Sequence, residues 1–204
     1  MDDGGNRQTA GAVPDAIDAL TRSIHLAMVV CGMAALMSGQ FAGDYKSADH
    51  GGFVIHRWCG IAMALVMLVY VARGLSGAAA QRFSSWIPFN RRRLQSVWQD
   101  VLTLTRLQLP ERPLHGGLAG LVQTAGLAAF GWMALSGALL FFWLEPGSRA
   151  TGTLRLVKKL HEAGEMVVWC YLALHAGAVL WHAVAGRPLW RSMFCFTLFN
   201  EKKK

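Results

Sequence analysis

LHEAGEMVVWCYLALHAGAVLWH, residues 160 to 182, decides the fold. Apart from three histidines, its only ionisable side chains near neutral pH are Glu162 and Glu165, and a run this long and apolar reads as a membrane span. An ionisable group inside lipid is costly and marks function by default. His161 and His175 stand fourteen residues apart, and fourteen steps of 100° end about 40° short of four full turns. The two rings therefore share a helix face while lying about 21 Å apart along the axis. That separation exceeds any single coordination sphere but suits two groups held at opposite leaflets.

Working outward, three more apolar runs of spanning length appear, at 24–41, 54–75 and 118–144, and the run around the opening stretch extends over 161–185. The chain thus reads as all-α, an integral membrane four-helix bundle occupying 24–185, with a tail and helix start at 1–23 and a basic tail at 186–204. Its 204 residues are 53% hydrophobic and 16% charged, against about 25% charged in soluble domains. Those figures are a poor match to a water-soluble domain and exclude a disordered chain. Gly32, Gly60, Gly126, Gly131, Gly137, Gly164 and Gly177 lie inside the spans, where small residues let helices or a flat cofactor approach closely.

The net charge of +8 sits between the spans rather than along one polar face, which argues for membrane orientation and against nucleic acid. With the N-terminus inside, the inner segments hold Arg7, Arg22, Arg73, Arg82, Arg91, Arg92, Arg93, Arg106, Arg112, Arg187, Arg191, Lys202, Lys203 and Lys204. The outer side keeps only Lys46, Arg57, Arg149, Arg155, Lys158 and Lys159. Both termini are accordingly expected in the cytoplasm. The first 23 residues lack a basic n-region and an apolar h-region, so the first span is expected to be retained. Cys31, Cys59, Cys170 and Cys195 form no CxxC or CxxCH segment, which gives no support to disulfides, zinc or covalently attached haem.

Between the second and third spans, Arg91 to Leu109 carries Leu94, Val97, Trp98, Val101, Leu102 and Leu104 among polar residues. A helix lying in the headgroup layer would bury that side, and a partly ordered basic loop is the alternative. Pro110 and Pro113 break the chain before the third span.

Seven histidines occur, and the up-down order of the spans pairs four of them. His56 and His161 fall toward the outer side, His25 and His175 toward the inner side. Neutral imidazoles on both faces of an iron would give low-spin, six-coordinate haem b, suited to electron transfer because no position stays open for oxygen. Depth leaves the inner pairing open. His25 is one residue into its apolar run and His175 is ten residues from the inner end of its own, about 15 Å. His182, on the same face and three residues from that end, matches His25 better in depth. An earlier start of the first helix, near Ala16, with Arg22 snorkelling or meeting a haem propionate, would ease the mismatch.

TRSIHLA (21–27), IHRWCG (55–60) followed by VAR (71–73), LSGALL (135–140), and LHEAG followed by LHAGAVLWH make the chain resemble the four-helix di-haem cytochromes b. That group comprises bacterial b561-type cytochromes and the membrane subunits of formate dehydrogenases and nickel-iron hydrogenases. The resemblance covers Thr21 to Met193. It implies His25, His56, His161 and His175 as axial ligands of two haems b, resolving the inner pairing in favour of His175. His182 then becomes a neighbour of the inner haem or of a quinone.

The resemblance further implies an electron carrier in the bacterial inner membrane, linking a periplasmic-side donor to the quinone pool as the membrane subunit of a redox complex. The donor would be a dehydrogenase subunit or a c-type cytochrome, and a second copy of the chain is a further candidate partner. Arg57, Lys158 and Lys159 gather at the outer haem, where they can meet propionates or an anionic partner. Arg22 is the matching inner candidate, His115 and His182 are candidates for the quinone side, and Glu162 and Glu165 for proton relay. A second reading, from the same resemblance, is a stand-alone superoxide:quinone oxidoreductase, which the outer cations would also suit. A third, a metal transporter or assembly protein whose histidines bind a transition ion, is opposed by the separation of about 21 Å between His161 and His175.

Overall fold

The computed structural model describes residues 17–42, 50–76, 82–110 and 116–194. Seven helices follow in order: α1 (Ala19–Gln40), α2 (Gly51–Ser76), α3 (Phe83–Trp86), α4 (Arg91–Thr105), α5 (Gly117–Trp143), α6 (Gly152–Val184) and α7 (Trp190–Phe194). Of these, α1, α2, α5 and α6 are long and apolar enough to cross a membrane. They run up and down as a bundle. One end carries the α1–α2 and α5–α6 connections and is called the distal end below; the other carries α3, α4 and α7 and is called the terminal end.

Close backbone packing joins α1 to α2, α2 to α5 and α5 to α6. The outer faces stay apolar and uncovered, with Leu68, Phe142 and Leu174 at least 65% exposed. In water that surface would drive aggregation; in hydrocarbon it costs nothing, and lipid is its natural cover.

The helix ends are tied by charge and capping. Asp18 caps α1, its Oδ1 accepting from the Thr21 amide at 2.7 Å, while its other oxygen pairs with Arg73 in the last turn of α2. An anion at a helix start and a cation at a helix end each suit the local dipole. α5 opens on Gly116 and Gly117, which have no side chain to cap it. Asp100, on α4 and 3% exposed, supplies the missing acceptor, taking the Leu118 amide at 2.8 Å. Phe83 of α3 seats its ring where a Cβ on Gly74 would stand, locking the connection beneath α2.

Three differences from the sequence reading have physical causes. α6 begins at Gly152, nine residues before the apolar run, because Arg155, Lys158 and Lys159 continue the helix outside hydrocarbon. α1 begins at Ala19, five residues early, because Asp18 caps it there. On α4 the face is split: Leu94, Trp98 and Leu102 point outward, whereas Val97 turns inward with Asp100. A helix covers Arg91–Thr105, and its inner face is committed to α5.

Asp100→Ala leaves the Leu118 amide without its acceptor in a buried place and should cost about 1–2 kcal/mol. Thermal unfolding in detergent should show a lowered midpoint for Asp100→Ala and a smaller loss for Asp100→Asn. A midpoint equal to that of the unsubstituted chain would show that the cap contributes nothing.

Candidate functional site

The bundle interior is built in layers spaced by seven residues, two helical turns or about 10.5 Å. At the distal layer stand Gly39 on α1, His56 on α2, Gly137 on α5 and His161 on α6. Seven residues further into the bundle on each helix stand Gly32, Met63, Phe130 and Val168. A further seven residues bring His25, Tyr70, Gln123 and His175. Sequence spacing thus puts two histidines in each end layer and an apolar layer between.

Side-chain contacts agree with that register. The rings of His56 and His161 stand with centroids 6.1 Å apart and planes 77° from parallel. The rings of His25 and His175 lie 6.5 Å apart. Two imidazoles on opposite sides of one iron, each bonded at about 2 Å through a nitrogen about 1 Å from its ring centre, need centroids about 6 Å apart. Both pairs meet that span. Among the described residues no group of three or more His, Cys, Asp and Glu gathers to hold a bare ion. Two opposed imidazoles are the donor set for a haem, whose macrocycle supplies the other four nitrogens.

At the distal pair the ring positions are fixed from behind. The Nδ1 of His56 donates to the Ala35 carbonyl at 2.7 Å, and the Nδ1 of His161 lies 2.8 Å from the Ser136 hydroxyl oxygen. Both Nε2 atoms are therefore left for an iron. Glycines make the room: a Cβ on Gly39 would stand 3.1 Å from His56 Nδ1, and one on Gly137 would stand 3.1 Å from His161 Cε1. A cavity of about 310 Å³ opens between these rings, walled by Phe130, Met133, Phe141 and Val168. Its rim carries Arg57, Lys158, Glu162 and Glu165. Arg57 lies over the Phe141 ring at 4.3 Å, Lys158 pairs with Glu162, and Gln40 donates to Glu165 across α1 and α6.

The terminal pair is held by rings instead. Tyr171 stacks on His175 with centroids 5.5 Å apart and planes 17° from parallel, and Phe194 of α7 meets His25 edge-on at 5.7 Å. Tyr171 reaches this position because Gly126 has no Cβ where its hydroxyl packs. Arg22, one turn before His25, is buried at 3% exposure. Between the pairs, Met63, Met67 and Val168 are no more than 5% exposed.

The depth conflict over His25 shrinks with the observed ends. His25 lies six residues into α1, about 9 Å, and His175 nine residues before the end of α6, about 13.5 Å, a difference below one turn. His182 sits further toward the terminal end, and its backbone carbonyl accepts from the Arg187 amide at 2.8 Å. Lys159 is exposed and stays off the cavity wall. His115 lies outside the described residues. Sequence reasoning missed Ser136 and Tyr171, whose partners are 25 and four residues away.

A family model described as prokaryotic cytochrome b561 matches residues 16–195. No curated protein and no solved structure matches the chain. If the glycines serve the rings, Gly39→Val and Gly137→Val should each lower haem b per chain in a pyridine haemochrome assay. Gly177→Val, where an added Cβ meets nothing within 4 Å, should keep it. A full haem complement in Gly137→Val would contradict the cradle.

Proposed function

The chain belongs to the prokaryotic cytochrome b561 family, and from that premise we propose that it is a di-haem membrane cytochrome carrying electrons between a donor at the distal end and quinone near the terminal end. The observation that supports this best is the presence of two opposed imidazole pairs two layers apart, with ring centroids at 6.1 and 6.5 Å. His56 and His161 hold one haem b, and His25 and His175 hold the second. When bound, haem would supply one-electron exchange.

The chain's own residues divide the remaining tasks. Ala35 and Ser136 orient the distal rings, and Tyr171 supports His175. Met63, Met67, Phe130 and Val168 fill the middle layer with apolar atoms, which keeps water and protons from following the electron. Arg57 and Lys158 at the cavity rim, and Arg22 at the other end, would be the cations available to haem propionates. His182 and His115 are the quinone-side candidates, where a proton donor is required.

Charge asymmetry supports an orientation with the distal end outside and both termini in the cytoplasm of a bacterial inner membrane. The outside partner is then a dehydrogenase subunit or a c-type cytochrome. A second reading, in which superoxide is the donor and the chain acts alone, draws on the cations Arg57, Arg155, Lys158 and Lys159 toward the distal end, which stand among the carboxylates of Glu145, Glu162 and Glu165.

The test is a proteoliposome assay of electron passage from an outside donor to quinone, with His161→Ala and His175→Ala beside the unsubstituted chain. Each substitution should remove one haem b and bring passage to background. Passage at the unsubstituted rate in either variant would overturn the ligand scheme. Superoxide-dependent quinone reduction by the purified chain alone would favour the second reading, and a requirement for an added protein donor the first.

A further inference from the structure

Ser136 is 2% exposed, the most buried side chain among the described residues. Its hydroxyl oxygen lies 2.7 Å from the Trp132 carbonyl oxygen and 2.8 Å from His161 Nδ1, with the Met133 carbonyl oxygen further off at 3.3 Å. A hydroxyl has one proton to give, and a carbonyl can only accept. The proton therefore goes to the Trp132 carbonyl, and the Ser136 lone pair faces His161. In that arrangement His161 donates its Nδ1–H to Ser136, the tautomer that leaves Nε2 free toward His56.

Serine and threonine in membrane helices often bond the carbonyl four residues back as a local habit. Ser38 and Thr124 do so here, to Ala34 and Gly120. Ser136 differs in that the same oxygen also meets a histidine on another helix. An imidazole that donates its outer N–H becomes a more basic ligand, and a more basic axial ligand favours the oxidised iron.

We propose that Ser136 is a positioning residue that, through His161, sets the distal haem to a lower reduction potential than the same ligands would give without it. This rests on the ligand scheme above, and the two are separable. Redox titration of the full detergent-purified chain is followed at the haem absorbance for the unsubstituted protein, His161→Ala, Ser136→Ala and Ser136→Thr. His161→Ala must lose one of two b components; if both persist, the ligand scheme itself fails, whatever Ser136 does.

Given that loss, Ser136→Ala should keep both haems and move upward only the component missing from His161→Ala. The oxidised-to-reduced equilibrium should change severalfold, up to tenfold, the latter being 59 mV for one electron. Ser136→Thr, which retains a hydroxyl, should return that component toward its original value. An unmoved component in Ser136→Ala overturns the proposal. If Ser136→Ala instead loses the distal haem, retention in Ser136→Thr supports the role of the hydroxyl, and equal loss in both overturns it.

Discussion

The cost of placing an imidazole inside a lipid-embedded bundle governs the rest of the structure. A histidine there needs space for its ring, an acceptor for its outer N–H, and a partner for the nitrogen that faces inward. At the distal end those needs are met by Gly39 and Gly137, by the Ala35 carbonyl and Ser136, and by the opposed ring. Each supplier is on a different turn or helix from the ring it serves. The four spans must therefore hold one register to within a fraction of a turn, and the seven-residue layering is how they hold it.

Register on that scale needs firm ends. Asp18 joins the start of α1 to the end of α2, Asp100 joins α4 to the start of α5, and Phe83 fills the notch left by Gly74. These contacts gather at the terminal end, where the long connection lies. The distal end is closed instead by side chains from α1 and α6, among them Gln40 and Glu165. The bundle is thus fastened at both ends around a middle where Met63, Met67 and Val168 are tightly packed.

Much of this was legible in the sequence, for reasons that differ by element. The spans show because hydrocarbon demands long apolar runs, and the order His25, His56, His161, His175 places two rings at each end once the helices alternate in direction. The start of α6 did not show, because Arg155, Lys158 and Lys159 look like a loop to any reading that counts apolar residues. Asp100 carries no local signal of its role, since its partner amide is eighteen residues away across Pro110 and Pro113. Ser136 lies in LSGALL (135–140), where its hydroxyl alone names no partner. Its meaning depends on the rotation of α5 against α6, which one chain's periodicity does not reveal.

The central claim is that each histidine pair closes the coordination of one iron. Low-temperature electron paramagnetic resonance of the oxidised, detergent-purified chain, quantified against protein, tests it most directly. The account predicts two low-spin ferric signals per chain and no high-spin signal. A single low-spin signal, or a high-spin signal from an iron with an open position, would contradict it.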